Sequence, residues 1–209
     1  MQRLAGLGAR CRDAGLVELD WPDGPFFWAP RFWPQAQADR LLDALRAEPA
    51  WSRHRVRLFG REHPAPRLSA WHGDPGASYR YSGTRHAPQP WTPALAAVRD
   101  RLAGALGEAF NAVLANRYRD GADAMGWHRD DEAELGAQPL IASASFGAAR
   151  RFLLRHREGR REALELGHGS LLVMAGDSQA QWRHALPRTA RPVAERVNLT
   201  FRQVGAAAC

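Results

Sequence analysis

The chain has 209 residues, 45% hydrophobic and 24% charged, with a formal net charge of +7. That length suits one domain with a full hydrophobic core, and the composition excludes wholesale disorder. Two cysteines, Cys11 and Cys209, exclude a disulfide scaffold or a Cys-rich zinc site, and no apolar run reaches the ~18 residues of a membrane-crossing helix.

Residues 1–25 carry Gly, Arg and Pro with little periodicity and read as a loose N-terminal arm without a signal peptide. Phe26-Phe27-Trp28 is a short apolar strand. Pro34 then opens a helix, Leu41, Leu42 and Leu45 give it helical spacing, and Pro49 marks its end. The segment 51–91 is rich in Pro, Gly, Trp and Tyr and reads as hairpins or loops appended to a core. It holds seven arginines against Glu62 and Asp74, which places +5 of the +7 in this stretch. All 29 basic residues are arginine, the mark of a GC-rich coding bias, so the location of the charge says more than its type. A clustered positive charge invites a polyanion, because binding releases counterions from phosphates.

A second helix begins at Thr92-Pro93, with Leu95, Val98, Leu102 and Leu106 on one face, and stops near Gly107. After Phe110 short β-type runs alternate with turn residues: 111–118, 139–146, 151–154, 170–174, 182–186 and 196–204. The fold class is therefore α+β with a mostly β core. The spacing favours a β sandwich or jelly roll over βαβ units, with the helices packed outside.

Two histidines open a His-x-Asp: His72-Gly73-Asp74 and His128-Arg129-Asp130. In an extended segment residues i and i+2 share a face, so such a pair can grip one metal ion. A third ligand from a distant strand would leave coordination positions open for a co-substrate and O2. Pro75-Gly76 makes the first pair a turn. The second ends a strand-like run and is followed by Asp131 and Glu132. A cation would explain three adjacent carboxylates, and a solvated acidic loop is the other reading. The last run, 196–202, alternates without a break. Val197, Leu199 and Phe201 form an apolar face, opposite Arg196, Asn198, Thr200 and Arg202. That polar face either meets water or lines a cavity for a dianion, which arginine forks suit.

Six ordered blocks now carry a resemblance: Asn116-Arg117-Tyr118 with Gly121; His128 to Glu132; Ile141 to Gly147; His168 to Leu172; Trp182 to Pro187; and Arg196 to Arg202. Together they closely resemble the AlkB family of Fe(II)- and 2-oxoglutarate-dependent nucleic-acid dealkylases. Leu58-Phe59-Gly60-Arg61 and Tyr79-Arg80-Tyr81-Ser82-Gly83 make the chain most like the branch acting on double-stranded DNA. The match is strongest over 111–204 and weaker over 58–83.

The resemblance implies a double-stranded β-helix, the jelly roll of the strand pattern. It implies one dioxygenase domain over 1–209, with a nucleotide-recognition segment at 51–91 and a catalytic core at 111–204. Its iron ligands would be His128, Asp130 and His184, which demotes His72, His156 and His168. Asn116, Tyr118, Arg196 and Arg202 would hold 2-oxoglutarate, with Asn198 and Thr200 nearby. Arg196 and Arg202 lie roughly 20 Å apart along a strand, so one serves each end of the dianion. Fe(II), 2-oxoglutarate and O2 would demethylate N1-methyladenine and N3-methylcytosine in DNA, releasing formaldehyde, succinate and CO2.

The target methyl lies on the Watson–Crick edge, so the base must leave the duplex. By resemblance Tyr81 stacks on it and Tyr79 assists, and packing in the core is the other reading of both rings. Phe59, between the charged run Arg53-His54-Arg55-Val56-Arg57 and Gly60, would wedge into the vacated stack while the flanking arginines hold phosphates, a ring folded into the core being the other reading; Arg61 and Arg80 are counted with the substrate-binding residues. Asp131 would meet the base's exocyclic amino group or its cationic charge, a surface acid being the other reading, and Glu132 is counted with it as substrate-binding. A second arginine run, 150–161, reads either as facing a DNA strand or as a solvated hairpin. The expected partner is alkylated DNA, double- or single-stranded, met by a cytoplasmic monomer of bacterial type acting at the nucleoid. RNA, a non-nucleic-acid substrate, or a binding module with a vestigial metal site are the alternatives.

Overall fold

A computed structural model describes residues 6–58, 61–77, 79–81 and 84–205, with 56–58, 61–62, 79–81 and 84–86 described by their backbone alone. In chain order the elements are α1 (Leu7–Asp13), β1 (Val17–Leu19), β2 (Phe26–Ala29), α2 (Gln35–Ala47), β3 (Arg55–Leu58), β4 (Arg61–Pro64) and β5 (Leu68–Gly73). There follow β6 (Tyr79–Tyr81), β7 (Thr84–His86), α3 (Pro93–Leu106), β8 (Ala112–Tyr118), β9 (Met125–His128), β10 (Ile141–Gly147) and β11 (Arg150–His156). The chain closes with β12 (Arg161–Leu166), β13 (Ser170–Met174), α4 (Ser178–Gln181), β14 (Trp182–Leu186) and β15 (Arg196–Arg202).

Seven strands form one sheet in the order β1-β2-β13-β10-β15-β8-β5, and four form a second, β12-β11-β14-β9. Every pairing within them is antiparallel, and the two sheets make the jelly roll. The alternation of β15 explains the layering. Val197, Leu199 and Phe201 join Leu45, Leu95, Val98, Leu102 and Leu106 in a core between the large sheet and the helices. The opposite face looks toward the small sheet, where Phe26, Tyr118, Ile141 and Leu172 meet Leu154, Trp182 and Leu186. All seven residues of β15 are buried, so its polar face does not lie in water. Four hydrogen-bonding side chains enclosed between two sheets need a polar ligand or one another.

The helices begin and end where local chemistry predicts. Pro34 precedes α2, and α3 has Pro93 in its first turn, a Thr92 hydroxyl accepting from the Leu95 N–H at 3.4 Å, and a left-handed Gly107 at its end. Two expectations need correction. Residues 7–19 are not a loose arm: Leu7, Cys11 and Leu16 are buried in the helix-side core. Their three apolar anchors are too widely spaced to show a repeat. Nor is 51–91 only appended hairpins. β3–β4 and β6–β7 are separate hairpins, but β5 pairs with β8 as the edge of the large sheet. His72 belongs to β5 and is buried against the Pro90 carbonyl at 2.6 Å.

Gly147 ends β10 at φ 90°, and a Cβ there would lie 2.4 Å from the Glu195 carbonyl oxygen. Gly147→Ala is expected to destabilise the protein by roughly 2–3 kcal/mol, read as a lower urea midpoint with unchanged slope. The strain falls on the residue that leads into Arg196.

Candidate metal and co-substrate site

A cleft lies between the sheets. β8 lines it with Leu114, Asn116 and Tyr118, β10 with Ser143, and β15 with Arg196, Asn198, Thr200 and Arg202. From the small sheet come Met125, His128, Phe152, His184 and Leu186, and Asp130 follows β9.

β9 and β14 set the first cluster. His128 and His184 are direct cross-strand partners, with ring centroids 4.2 Å apart. Asp130 turns to the same side as His128. One ligand atom from each of the three lies within 4.8 Å of the others, an arrangement that could hold a metal ion. The His128 Nδ1 meets the Gly126 carbonyl at 2.8 Å, which orients the ring. The Asp130 backbone N–H donates to the Gln179 side-chain oxygen at 3.0 Å.

The charges suit a cation. Burial would raise the Asp130 carboxyl, but Arg202, His184 and His128 outweigh it and hold it down at about 2. Arg202 donates to this carboxylate at 2.9 Å, and both side chains are buried. Burial, reinforced by His128, lowers His184 to about 3, and burial also lowers His128. Two neutral imidazoles beside one carboxylate are the borderline donor set of a first-row divalent metal with open positions. On this donor set the residues fit an iron ion.

Arg196 sits at the far end of β15 from Arg202 and is 2% exposed. One of its terminal nitrogens donates to the Ser145 hydroxyl at 2.9 Å, and its guanidinium lies 5.3 Å from the Tyr118 ring centroid. Among the described residues its Nε has no hydrogen-bond partner and no carboxylate pairs with it. Burial pushes it down to about 10, against the pull of Tyr118. A buried cation without an anion calls for one from outside, and a carboxylate fits its fork. Asn116 turns its carbonyl to Arg67 at 2.9 Å and to Ser69 at 3.0 Å, which leaves its NH2 as the donor for the cleft. Asn198 is fastened to the Ser143 hydroxyl and the Ala144 carbonyl, and Thr200 donates to Asn198.

The structure thus gathers Asn116, Tyr118, His128, Asp130, His184, Arg196, Asn198, Thr200 and Arg202 in one cleft. It does not bring Asp131 and Glu132 there. Asp131 points away from Asp130, as the next extended residue must, and pairs with Arg129 on the surface. Glu132 leads into a single turn at Ala133–Leu135, so no three-carboxylate cation site forms. Phe59 and Gly60 lie outside the described residues. Arg61 pairs with Leu58 across the β3–β4 hairpin, and Tyr79, Arg80 and Tyr81 form β6. In the second arginine run Arg150 is buried, donating to the carbonyls of Asp120, Asp123 and Pro187, and cannot face a nucleic acid.

His156 and His168 are structural. The first meets Asp23 at 3.0 Å, and the second accepts from the Gly147 N–H at 2.8 Å and faces Asp39. Ser143 and Ser145 are additions to the site, and the alternation of β10 with Ala142, Ala144 and Phe146 was their signal. Gln179 is another addition; it sits in a four-residue helix with no sequence signal at all.

The 2OG-Fe(II) oxygenase superfamily model matches residues 25–202. Over 182 residues the chain is 43% identical to DNA oxidative demethylase ALKBH2 of Mus musculus, spanning 81% of this chain and 76% of that protein. Over 186 residues it is 38% identical to alpha-ketoglutarate-dependent dioxygenase alkB homolog 3 of Rattus norvegicus, spanning 84% and 62%. The solved structure of OsALKBH1 superposes with a TM-score of 0.56 at 16% identity, over 90% of this chain and all of that one, a likeness of fold.

Proposed function

Because the chain belongs to the AlkB family within the 2OG-Fe(II) oxygenase superfamily, we propose that it is a DNA oxidative demethylase acting on N1-methyladenine and N3-methylcytosine. The family makes it an Fe(II)- and 2-oxoglutarate-dependent dioxygenase. When bound, iron and 2-oxoglutarate supply the oxidant that hydroxylates the N-methyl group, which leaves as formaldehyde while the co-substrate leaves as succinate and CO2.

The observation that carries this reading is the polarity of the cleft. His128, Asp130 and His184 would hold the metal at one end. Arg202 neutralises Asp130 there, and Arg196 waits at the other end for the distal carboxylate. Asn116 and Tyr118 line the wall between them and would orient the dianion. Phe152, Leu186 and Met125 line the cleft beside these donors with apolar surface, which would limit water around the reacting carbon. Tyr79 and Tyr81, on β6, are assigned to the flipped base, with Arg61 and Arg80 near its backbone.

The deciding experiment supplies Fe(II), 2-oxoglutarate and air to oligonucleotides bearing each methylated base, in DNA and RNA, single and paired. Equimolar succinate and formaldehyde with methylated DNA is the expected result. Succinate formation that no methylated nucleic acid stimulates would reject the substrate. Leu58 and Arg61 pair across the β3–β4 hairpin, and Phe59 follows Leu58 in the sequence. Phe59→Ala is expected to slow repair of duplex roughly ten-fold or more and of single strands little. Equal loss on both would reject the wedge.

A further inference from the structure

The outer face of the small sheet carries a pattern that the cleft does not use. Register sets Arg155 opposite Arg161 on one side and opposite Arg183 on the other, and Arg129 follows His128, the partner of His184. Four arginines therefore run in a row across the sheet. Like charges directly opposite on neighbouring strands oppose pairing. Among the described residues Arg129 has Asp131, whereas no ion pair engages Arg155, Arg161 or Arg183.

Trp127 shares this face. It is 42% exposed, while its neighbour His128 turns inward to the cleft. The Arg155 guanidinium lies over the indole, 5.0 Å from the ring centroid, and the residue still keeps 42% of its surface exposed. An exposed indole that a cation caps is half of a stack. A nucleobase suits its exposed surface, and the arginine row suits the phosphates.

We propose that Trp127 and Arg155 form a second base-stacking site, outside the catalytic cleft, which holds an unpaired nucleotide of single-stranded DNA while Arg183 and Arg161 meet its phosphates. The proposal rests on the reading of DNA as substrate. Inside a duplex both faces of a base are covered by its neighbours, so the indole can stack only where a neighbour is missing. A protein partner would need a larger apolar area than one ring amid arginines.

Fluorescence anisotropy with short, labelled, unmethylated oligonucleotides tests it. Trp127→Ala should weaken single-strand binding roughly ten-fold or more with an unchanged salt slope, Trp127→Phe should recover part of it, and duplex binding should change little. Arg183→Ala should instead lower the salt slope by about one. A strand of abasic units should bind the parent and Trp127→Ala alike. Three results would overturn the site: Trp127→Ala binding single strands as the parent does, an equal loss on abasic strands, or an equal loss on duplex. A Trp127-dependent preference for RNA would overturn the choice of DNA. A parent that turns over 2-oxoglutarate yet binds no DNA would instead sink the underlying function. Unchanged unfolding temperatures show that the variants are folded.

Discussion

Asp130→Asn is expected to abolish 2-oxoglutarate turnover and to weaken metal binding by more than roughly a hundred-fold. Asparagine keeps the volume and the backbone link to Gln179 but deletes the only negative charge among the three ligands. It also leaves Arg202 buried without the carboxylate that it pairs with at 2.9 Å. Breaking one partner of a buried pair costs about 3–5 kcal/mol, so the variant should unfold at lower urea as well. The two losses separate in a double variant. Asp130→Asn combined with Arg202→Met removes both charges, and stability should recover while metal binding does not. Anaerobic titration with Fe(II), with Mn(II) as a redox-inert stand-in, reads the first effect, and urea unfolding the second. Retained turnover in Asp130→Asn would remove Asp130 from the metal site.

Both losses trace to one geometric fact that the residues disclosed only in part. His128 and Asp130 share a face because extended residues alternate, and this is visible in His-x-Asp alone. That His184 completes the set depends on β14 lying beside β9, a pairing across more than fifty positions that no local pattern encodes. The resemblance named His184, and the register explains it. The apolar and polar faces of β15 were equally legible, but whether the polar face met water or a cavity was not, since that depends on the second sheet. The outer row of arginines lay hidden for the same reason. Arg155, Arg161 and Arg183 become neighbours only through strand pairing. Gln179 and Ser145 show the limit more sharply: their value lies in whom they touch, Asp130 and Arg196, not in their own spacing.

Arg196→Met should move stability and function in opposite directions. In the folded chain Arg196 is buried, its Nε has no acceptor among the described residues, and burial lowers its pKa to about 10. That is a desolvated cation whose compensation is one serine hydroxyl and Tyr118, through both its ring and its side-chain oxygen. Methionine has a similar length and no charge to desolvate, so without 2-oxoglutarate the variant should unfold at equal or higher urea. Its affinity for 2-oxoglutarate should fall by roughly 10²–10⁴-fold, since two charge-assisted hydrogen bonds at about 1.5–3 kcal/mol each are lost. Metal binding should persist, because His128, Asp130 and Arg202 are untouched at the other end of the cleft. A monocarboxylic 2-oxo acid, which lacks the distal group, should discriminate little between parent and variant. This contrast makes the assignment testable without reference to DNA. If Arg196→Met loses stability as Asp130→Asn does, Arg196 serves the fold, and the buried cation must have a protein partner. If it gains stability and loses only the dianion, the chain keeps a strained charge between its sheets for the sake of a ligand.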